Sequence, residues 1–405
     1  MRIALFTETY LPYINGVVTH VKALRDGLEK LGHEVLVVTA NTKTHHHYIE
    51  DGVLNCPAKT FKKIYNYGLA SPISARRLVL LKRFRPQVIH IHNEFGVGLS
   101  GTIMAKQLKI PLVYTLHTMY DDYLYYIVPK KLVPALKHIS HHYMKFLANK
   151  ATALTGPSQK VQEFFDICGA QKSVSVVPNP VELDVFNPQS VDREKADAIR
   201  KKYGILDDEI LVSFCGRLGR EKSVDVLLNN WAKTVKKEDK LKLMILGEGP
   251  CLVELKKLAE KLQIDDMVSF TDKVDHNELP SFYGACQLYI TASLSDTNSI
   301  SMKEAMATGL PVLHIHDPLN AGQVVDGVNG FIYKDADEMY SILMQYKAMT
   351  VEQQQELQIS VVNSVKIYGC EALALYLISV YEKSIEEKAK KKKMKKVKIK
   401  SINSI

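Results

Sequence analysis

Two acidic residues, Asp296 and Glu304, frame a run of small polar residues in the second half of the chain. Asp296 follows an apolar run that predicts a buried strand, and Glu304 lies eight residues later in a predicted helix. Carboxylates accept hydrogen bonds from hydroxyl groups, and the amides at a helix start are open to further oxygen atoms. The segment therefore suits polyhydroxylated ligands such as a sugar and a ribose. The alternative is structural: Asp296 or Ser299 caps the helix, and Glu304 is a surface acid.

A basic segment with two glycines, 216–223, follows another predicted strand. Arg217 and Lys222 lie five residues apart in it. A guanidinium offers a planar fork to phosphate oxygens and an ammonium offers a point charge, so the pair suits a diphosphate. The segment lacks the G-x-x-x-x-G-K-[ST] pattern, which argues against ATP hydrolysis of that type. The alternative is a solvated basic loop.

A third turn ends in Gly16, just before a predicted helix near the start of the chain. Glycine permits close approach of the backbone to a ligand, and a helix N-terminus binds anions through its amides. The turn lacks G-x-G-x-x-G spacing, so a dinucleotide is not favoured. An ordinary strand-to-helix turn is the alternative.

Short apolar runs alternate with longer amphipathic stretches, which predicts an α/β fold with parallel sheets covered by helices on both faces. The predicted strands are Ile3–Phe6, Val35–Thr39, Val88–His92, Leu112–Leu116, Ala153–Gly156, Leu211–Cys215, Lys242–Gly247, Val268–Thr271, Leu288–Ala292 and Pro311–Ile315. The predicted helices include Val17–Leu31, Val253–Leu262 and Ser301–Thr308. The three candidate segments all follow strands, and open α/β sheets bind ligands beyond the carboxyl ends of their strands.

A polar connection with several prolines interrupts this alternation and leads into a charged helix, Asp192–Tyr203. We therefore predict two α/β domains, 1–180 and 181–368, with a cleft between them. A last helix at 369–387 is expected to return to the first domain. A basic tail at 388–405 follows it.

The formal net charge of the 405 residues is +9. Nine lysines and no acid lie between Lys388 and Lys400, so the rest of the chain is neutral. Nonspecific nucleic-acid binding is mainly electrostatic, and a neutral body argues against it. Six cysteines without a C-x-x-C pair and the lack of an apolar leader predict a reducing, cytoplasmic location. No run approaches the roughly 20 apolar residues that span a bilayer.

Taken together, these segments resemble the family-four retaining glycosyltransferases, which have the GT-B architecture of two facing Rossmann-like domains. The resemblance covers residues 1 to about 385 and is closest to the bacterial diacylglycerol glucosyltransferases. It is carried by the three segments above and by the runs 7–12, 15–19, 90–95 and 114–120 with Asp122 and Tyr123.

The resemblance implies roles for individual residues. Gly16 approaches the donor diphosphate, and His117 contacts the transferred sugar. Arg217 and Lys222 neutralise the diphosphate leaving group, which is the main electrostatic task of the reaction. The family needs neither metal nor cofactor, because this basic pair does that work.

The same resemblance assigns the donor site. Glu304 holds the ribose hydroxyls, and Asp296 holds hydroxyls of the donor sugar with the help of the amides of Asn298, Ser299 and Ile300. Two departures bear on the sugar. The family usually has glutamate at position 296 and glycine at position 299, so the choice between glucose and galactose stays open.

A basic and aromatic region predicts the contact with acceptor and membrane. The predicted helix Val128–Leu147 mixes lysines with apolar residues, which suits an anionic membrane surface; the alternative is an amphipathic cover helix. The assigned residues are Tyr120, Asp122, Tyr123, Lys130, Lys131 and Lys137. The lysine tail adds about 1 kcal/mol per lysine near such a surface. Its alternative is a solubilising or RNA-binding end.

The leading interpretation is an enzyme that transfers glucose from UDP-glucose to 1,2-diacylglycerol with retention, attached peripherally to the cytoplasmic face of a membrane. One alternative is transfer of a second hexose, glucose or galactose, onto monoglucosyldiacylglycerol. An alternative of another class is an inactive protein of the same fold that binds membrane or nucleic acid.

Overall fold

The computed structural model describes residues 1–13, 15–61, 67–122, 129–320 and 322–402. The chain divides into two compact units. Unit 1 contains Met1–Pro180 together with Cys370–Ile405, and unit 2 contains Val181–Gly369.

Unit 1 is built on a nine-stranded sheet whose central path runs β3-β4-β2-β1-β6-β7-β8-β9, with β5 paired to β4. Its strands are β1 (Arg2–Thr7), β2 (Glu34–Asn41), β3 (Tyr48–Glu50), β4 (Val53–Phe61), β5 (Tyr67–Ala70), β6 (Val88–Ile91), β7 (Leu112–Thr115), β8 (Ala153–Gly156) and β9 (Val174–Val176). All neighbours are parallel except β3–β4 and β4–β5. The strand order reverses between β1 and β6, and such a reversal point is where doubly wound sheets bind ligands.

Helices cover both faces of this sheet. They are α1 (Gly16–Lys30), α2 (Ala75–Phe84), α3 (Gly96–Leu108), α4 (Val133–Lys150), α5 (Lys160–Ile167) and α13 (Cys370–Ile402). Ile3 and Leu5 of β1 pack in one cluster with α1 and α13, whereas Ala4 and Phe6 pack in another with α3 and α4. Burial on both faces explains why the strands read as unbroken apolar runs.

Unit 2 has a six-stranded parallel sheet of order β12-β11-β10-β13-β14-β15. The strands are β10 (Ile210–Cys215), β11 (Leu241–Leu246), β12 (Val268–Phe270), β13 (Leu288–Thr291), β14 (Val312–Ile315) and β15 (Gly330–Tyr333). The helices are α6 (Arg193–Lys202), α7 (Val224–Thr234), α8 (Leu252–Lys261), α9 (Leu279–Gly284), α10 (Ile300–Ala307), α11 (Ala336–Lys347) and α12 (Val351–Val365). This is the Rossmann strand order, and the reversal lies between β10 and β13.

Each strand named from the sequence is present within two residues of its predicted bounds, and so is each helix apart from the last one, predicted at 369–387, and the one predicted at Val128–Leu147. The long helix there, α4, begins at Val133. Pro134 occupies its first turn, where a missing amide hydrogen costs nothing, and a short 3-10 turn at Lys130–Leu132 precedes it.

The boundary predicted at Lys388 is wrong. Helix α13 does not end before the lysine-rich segment but continues to Ile402. Lysine, alanine and methionine favour helix, and no glycine or proline interrupts the segment. Two exposed i,i+4 pairs, Glu386–Lys390 and Glu387–Lys391, cross the predicted boundary.

One helical stretch among the described residues, Val351–Met394, is long and apolar enough to cross a membrane by length and composition alone. It contains α12, a short turn and most of α13. Val361 and Val365 lie in the core of unit 2, and Leu373 and Leu377 lie in that of unit 1. Because a membrane span would remove these side chains from both cores, the stretch is weak evidence for one.

Candidate active site

Three histidines cluster at the carboxyl edge of the unit 1 sheet. His92 follows β6 and His117 follows the neighbouring strand β7. Nδ1 of His92 lies 3.0 Å from Nε2 of His117. His20 of α1 completes the cluster, with its ring centroid 4.6 Å from that of His117 and 5.5 Å from that of His92. His20 and His92 are buried and His117 is half-buried.

Burial sets the charge of this cluster. Removal from water disfavours an imidazolium, and the neighbouring imidazoles add to the effect, so the pKa of His92 and of His117 lies well below its ordinary value. Neutral imidazole both donates and accepts hydrogen bonds. The cluster therefore suits hydroxyl groups better than a phosphate.

His90 supports the cluster without joining it. Its Nδ1 lies 2.7 Å from the hydroxyl of Tyr381, and its Nε2 lies 2.6 Å from the hydroxyl of Thr115. Both ring nitrogens are thus occupied. Because Tyr381 belongs to α13, the last helix fixes the strand that carries His92.

Glu94 is a buried carboxyl just beyond β6. The hydroxyl of Tyr114 donates to its Oε1 over 2.8 Å, and the hydroxyl of Tyr120 donates to its Oε2. Tyr143 of α4 donates to its backbone oxygen over 2.5 Å. Burial raises the pKa of Glu94 to about 7 against the lowering effect of the two hydroxyl donors. Tyr120, predicted to serve the acceptor, is therefore held to the sheet edge by Glu94.

A pH dependence of stability follows from Glu94. Between the ordinary pKa of 4.5 and about 7, the folded protein holds a proton that the unfolded chain has lost, so stability falls as pH rises through this window. The slope is at most about 1.4 kcal/mol per pH unit for one group. We expect Glu94→Gln to reduce the difference between urea midpoints at pH 5.5 and 7.5. The exposed-acid variant Glu260→Gln is the control and should keep the full difference.

Glu8 shares this behaviour, so some pH dependence should persist in Glu94→Gln. Burial raises the pKa of Glu8 to about 7, against the backbone amides of Ala70 and Val97 that donate to it. An unchanged difference between the two midpoints in Glu94→Gln would contradict the assignment to Glu94.

The other predicted acceptor residues surround the start of α4. Asp121 accepts from Lys137 Nζ over 2.9 Å and lies 3.0 Å from Nε2 of His141. Lys137 is therefore an ion-pair partner, which the sequence did not indicate, whereas Lys131 is exposed. For Asp122 and Lys130 only the backbone is described, and Tyr123 lies outside the described residues.

Gly16 begins α1, directly after the turn that follows β1. Asn15 caps the helix: its side-chain oxygen accepts from the amide of Val18 over 3.0 Å. The exposed Gly16 therefore lies at a helix N-terminus beside the reversal point of the sheet. This position fits the predicted approach to a diphosphate.

The basic pair of unit 2 lies beyond β10, and both cations have carboxylate partners. Arg217 pairs with the buried Glu221, and Lys222 pairs with Asp296 beyond β13. A Cβ atom at Gly219 would lie 2.3 Å from Oε2 of Glu221, so any larger residue there would force this carboxylate to shift. The reversal of strand order between β10 and β13 thus brings together the two segments that the sequence analysis singled out separately.

The charge of Asp296 is stabilised locally. Burial raises its pKa, but the charge and the hydrogen bond of Lys222 outweigh burial, so the pKa lies below its usual value. Asn320 also donates from Nδ2 to the backbone oxygen of Asp296 over 2.5 Å. The carboxylate predicted to reach the sugar is therefore ionised and engaged by Lys222.

The turn between Asp296 and Glu304 ends in a capped helix. Ser299 is the N-cap of α10, and its hydroxyl accepts from the amide of Met302 over 3.3 Å. Helix capping, the structural alternative given for Ser299, is thus confirmed for its side chain. Ile300 is the first helical residue, and Asn298 is buried just before the cap.

Glu304 is buried on α10 and is not a surface acid. Nε2 of His276 lies 3.1 Å from its Oε1, and Nδ1 of the same ring lies 3.9 Å from Glu182. His276 thus holds the carboxylate that is predicted to bind the ribose.

Several residues of the site were missed from the sequence. His20, His92, Glu221 and His276 were given no role there. His92 had a usable signal, since it follows a strand next to the one before His117. His20 and His276 lie on other elements and meet their partners only through the tertiary fold.

Residues 14–185 match the family described as Glycosyltransferase Family 4, and residues 195–345 match the one described as Glycosyl transferases group 1. An alpha-monoglucosyldiacylglycerol synthase of Streptococcus pneumoniae is 31% identical over 346 residues, which cover 85% of this chain and 78% of that protein. This chain belongs to the family-four glycosyltransferases. The family expected from the sequence motifs is confirmed, and with it the assignment as an enzyme.

A second relative and a solved structure also resemble this glycosyltransferase along most of its length. The Acholeplasma laidlawii protein of the same name is 28% identical over 405 residues, covering 95% of this chain and 99% of that one. The crystal structure of Anabaena HepE in complex with UDP and glucose superposes with a TM-score of 0.71 at 16% identity, covering 95% of this chain and 100% of that one. At that identity the likeness shows the fold alone, which is the predicted GT-B fold.

Proposed function

We propose that this glycosyltransferase transfers glucose from UDP-glucose to the 3-hydroxyl of 1,2-diacylglycerol and forms an α-glycosyl diacylglycerol. The observation that carries the proposal is the position of Arg217, Lys222 and Asp296 at the strand-reversal point of unit 2, with Glu304 buried on the helix that follows β13. The lipid acceptor is supported by the names of the two relatives that cover most of the chain.

Leaving-group departure is the step that the basic pair serves. As the bond between the sugar and the diphosphate breaks, negative charge grows on the phosphate oxygens, and fixed cations stabilise it. Arg217 and Lys222 supply these charges, so the proposal needs no metal ion. Both cations are already paired with carboxylates, and the diphosphate has to share or displace Glu221 and Asp296.

A carboxylate and a neutral imidazole position the donor. The buried carboxylate of Glu304, held by His276, accepts hydrogen bonds from the ribose hydroxyls. The neutral ring of His117 contacts the transferred sugar. Retention follows from attack on the face from which the diphosphate leaves, with the diphosphate itself taking the acceptor proton.

A lipid acceptor requires contact with a membrane surface, and α4 carries exposed residues suited to such a contact. Exposed apolar residues recur every seven positions here. They are Leu132, just before the helix, and Ile139 and Phe146 within it, with exposed fractions of 55%, 64% and 45%. The exposed Lys131 and Lys145 precede the first and last of these. An apolar stripe flanked by lysines binds an anionic interface. We propose that the enzyme is attached peripherally to the cytoplasmic face of a membrane, and this stripe supports the membrane contact.

Product analysis tests the proposal. The purified enzyme is incubated with UDP-glucose or UDP-galactose and with diacylglycerol in detergent, and the lipids are separated and their anomeric configuration determined. We expect an α-glucosyl diacylglycerol from UDP-glucose. A lack of transfer to any lipid would overturn the proposal.

A second candidate is transfer of a further hexose onto monoglucosyldiacylglycerol. It is favoured by Asp296 and Ser299, which replace the usual glutamate and glycine where the family holds the sugar. The same assay with monoglucosyldiacylglycerol as the acceptor separates the two. A diglycosyl product formed faster than the monoglycosyl one would favour this candidate.

A further inference from the structure

The histidine cluster of unit 1 has the geometry of a metal site. His20, His92 and His117 each place one ring nitrogen so that the three atoms lie within 4.8 Å of one another. Zinc binds imidazole nitrogen at about 2.0–2.1 Å, which spaces tetrahedral ligands by about 3.4 Å. Nδ1 of His92 and Nε2 of His117 are already 3.0 Å apart. Small side-chain rotations would therefore bring all three ring nitrogens to the spacing of metal ligands.

The chemistry of the cluster points to one class of ion. The group contains neither carboxylate nor thiolate. Three imidazoles with an open fourth position suit Zn²⁺, Co²⁺, Ni²⁺ or Cu²⁺, whereas Mg²⁺ and Ca²⁺ prefer oxygen ligands. Each ring that binds a cation does so through the lone pair of a neutral imidazole nitrogen.

The surroundings orient the ligands. Nδ1 of His20 lies 3.0 Å from Oδ1 of Asn179, an acceptor, so Nδ1 carries the hydrogen and Nε2 the lone pair. Such a second hydrogen bond is typical of metal-binding histidines.

We infer that His20, His92 and His117 bind one transition-metal ion such as Zn²⁺ and that the ion inhibits the enzyme. The inhibition rests on the proposed function, in which His117 contacts the transferred sugar. An ion on His117 takes the lone pair and the space that the sugar needs. Metal and donor therefore exclude each other.

Metal binding is measured first, without donor or acceptor. The full chain is freed of metal with a chelator and titrated with Co²⁺, whose visible absorption reports four-coordinate nitrogen ligation, and Zn²⁺ is then used to displace it. All proteins carry His45→Ala, His46→Ala and His47→Ala, so that three consecutive histidines outside the cluster cannot contribute to the titration. We expect one ion per chain, and at least tenfold weaker binding in His20→Ala and in His92→Ala.

Matched controls distinguish metal binding at the cluster from the general affinity of surface histidines for metal ions. His138 and His142 lie on the surface of α4 with ring centroids 4.3 Å apart. Their double alanine variant should bind Co²⁺ like the parent. Unchanged Co²⁺ affinity in folded His92→Ala would overturn the site. Should His92→Ala fail to fold, His92→Gln is used, and the parent alone should gain melting temperature from added Zn²⁺.

Inhibition is measured separately with detergent-solubilised acceptor. We expect Zn²⁺ to raise the KM for UDP-glucose and leave kcat unchanged, and this effect should weaken at least tenfold in His20→Ala. Binding of Co²⁺ without any effect of Zn²⁺ on transfer would overturn the inhibition. If no lipid is glycosylated at all, the proposed function fails, while the Co²⁺ titration still decides the site.

Discussion

Replacing Arg217 by alanine is expected to lower kcat by about 10²–10³-fold, the loss typical for one preorganised group that stabilises charge in a transition state. The guanidinium lies beyond β10 at the strand-reversal point, where the leaving diphosphate is proposed to bind. Binding to lipid vesicles should not change, because Arg217 lies in unit 2 and the α4 stripe lies in unit 1. Transfer to detergent-solubilised acceptor measures the first effect and vesicle cosedimentation measures the second.

Arg217→Ala has a second effect that must be separated from catalysis. The side chain of Glu221 is only 1% exposed, and loss of the Arg217 guanidinium removes a cation from beside this buried charge, which destabilises by up to about 3 kcal/mol. The double variant Arg217→Ala/Glu221→Gln removes that charge. We expect it to recover stability in urea but not kcat. Recovery of kcat in the double variant would contradict a direct role of Arg217 in the reaction.

Two truncations of the last helix are expected to differ sharply. Removal of residues 370–405 takes away Leu373, Leu377, Val380 and Tyr381, which are buried in the core of unit 1. At about 1.5–3 kcal/mol for each large apolar side chain, the loss is comparable with the whole stability of a domain. We expect that protein to be insoluble or to unfold without a cooperative transition in urea.

Removal of residues 388–405 alone should leave the urea midpoint unchanged. It takes away nine lysines, each worth up to about 1 kcal/mol near an anionic surface. We expect much weaker binding to anionic vesicles at low salt, little change on neutral vesicles and unaltered transfer in detergent. If binding to anionic vesicles survives this truncation, the stripe on α4 carries the contact, and Ile139→Asp should then abolish it.

The strands and the residues that follow them were predictable because both derive from local sequence. A strand buried on both faces needs an apolar run, and the residue after it lies at the ligand edge of a parallel sheet. This reasoning found Arg217, whereas His117 was assigned through the family resemblance, and its position after β7 is consistent with that assignment. It missed β3, β4, β5, β9 and β15. Of these, β3 and β9 are three residues long and have no fully buried position.

The partners of the site residues could not be predicted in the same way. Lys222 and Asp296 are 74 positions apart and meet because β10 and β13 are neighbours, a fact of sheet order that no local pattern contains. The lysines from Lys388 onward indicated a separate tail, because amino-acid composition shows that this segment carries the excess positive charge. Composition does not report that these lysines continue a helix already fixed by Leu377 and Tyr381.

The return of α13 to unit 1 has a consequence for biosynthesis. Leu24 and Leu28 of α1 pack with Leu377 and Tyr381, yet about 190 residues of unit 2 are translated in between. Leu28 and Leu377 are 349 positions apart, so at ribosomal rates of about 5–20 residues per second this face of α1 waits some 20–70 seconds for its cover. Unit 2 is continuous in the chain and can fold during that interval. The nascent enzyme therefore exposes an apolar surface at the ribosome, and chaperone binding should be strongest while unit 2 is being made and end when α13 emerges.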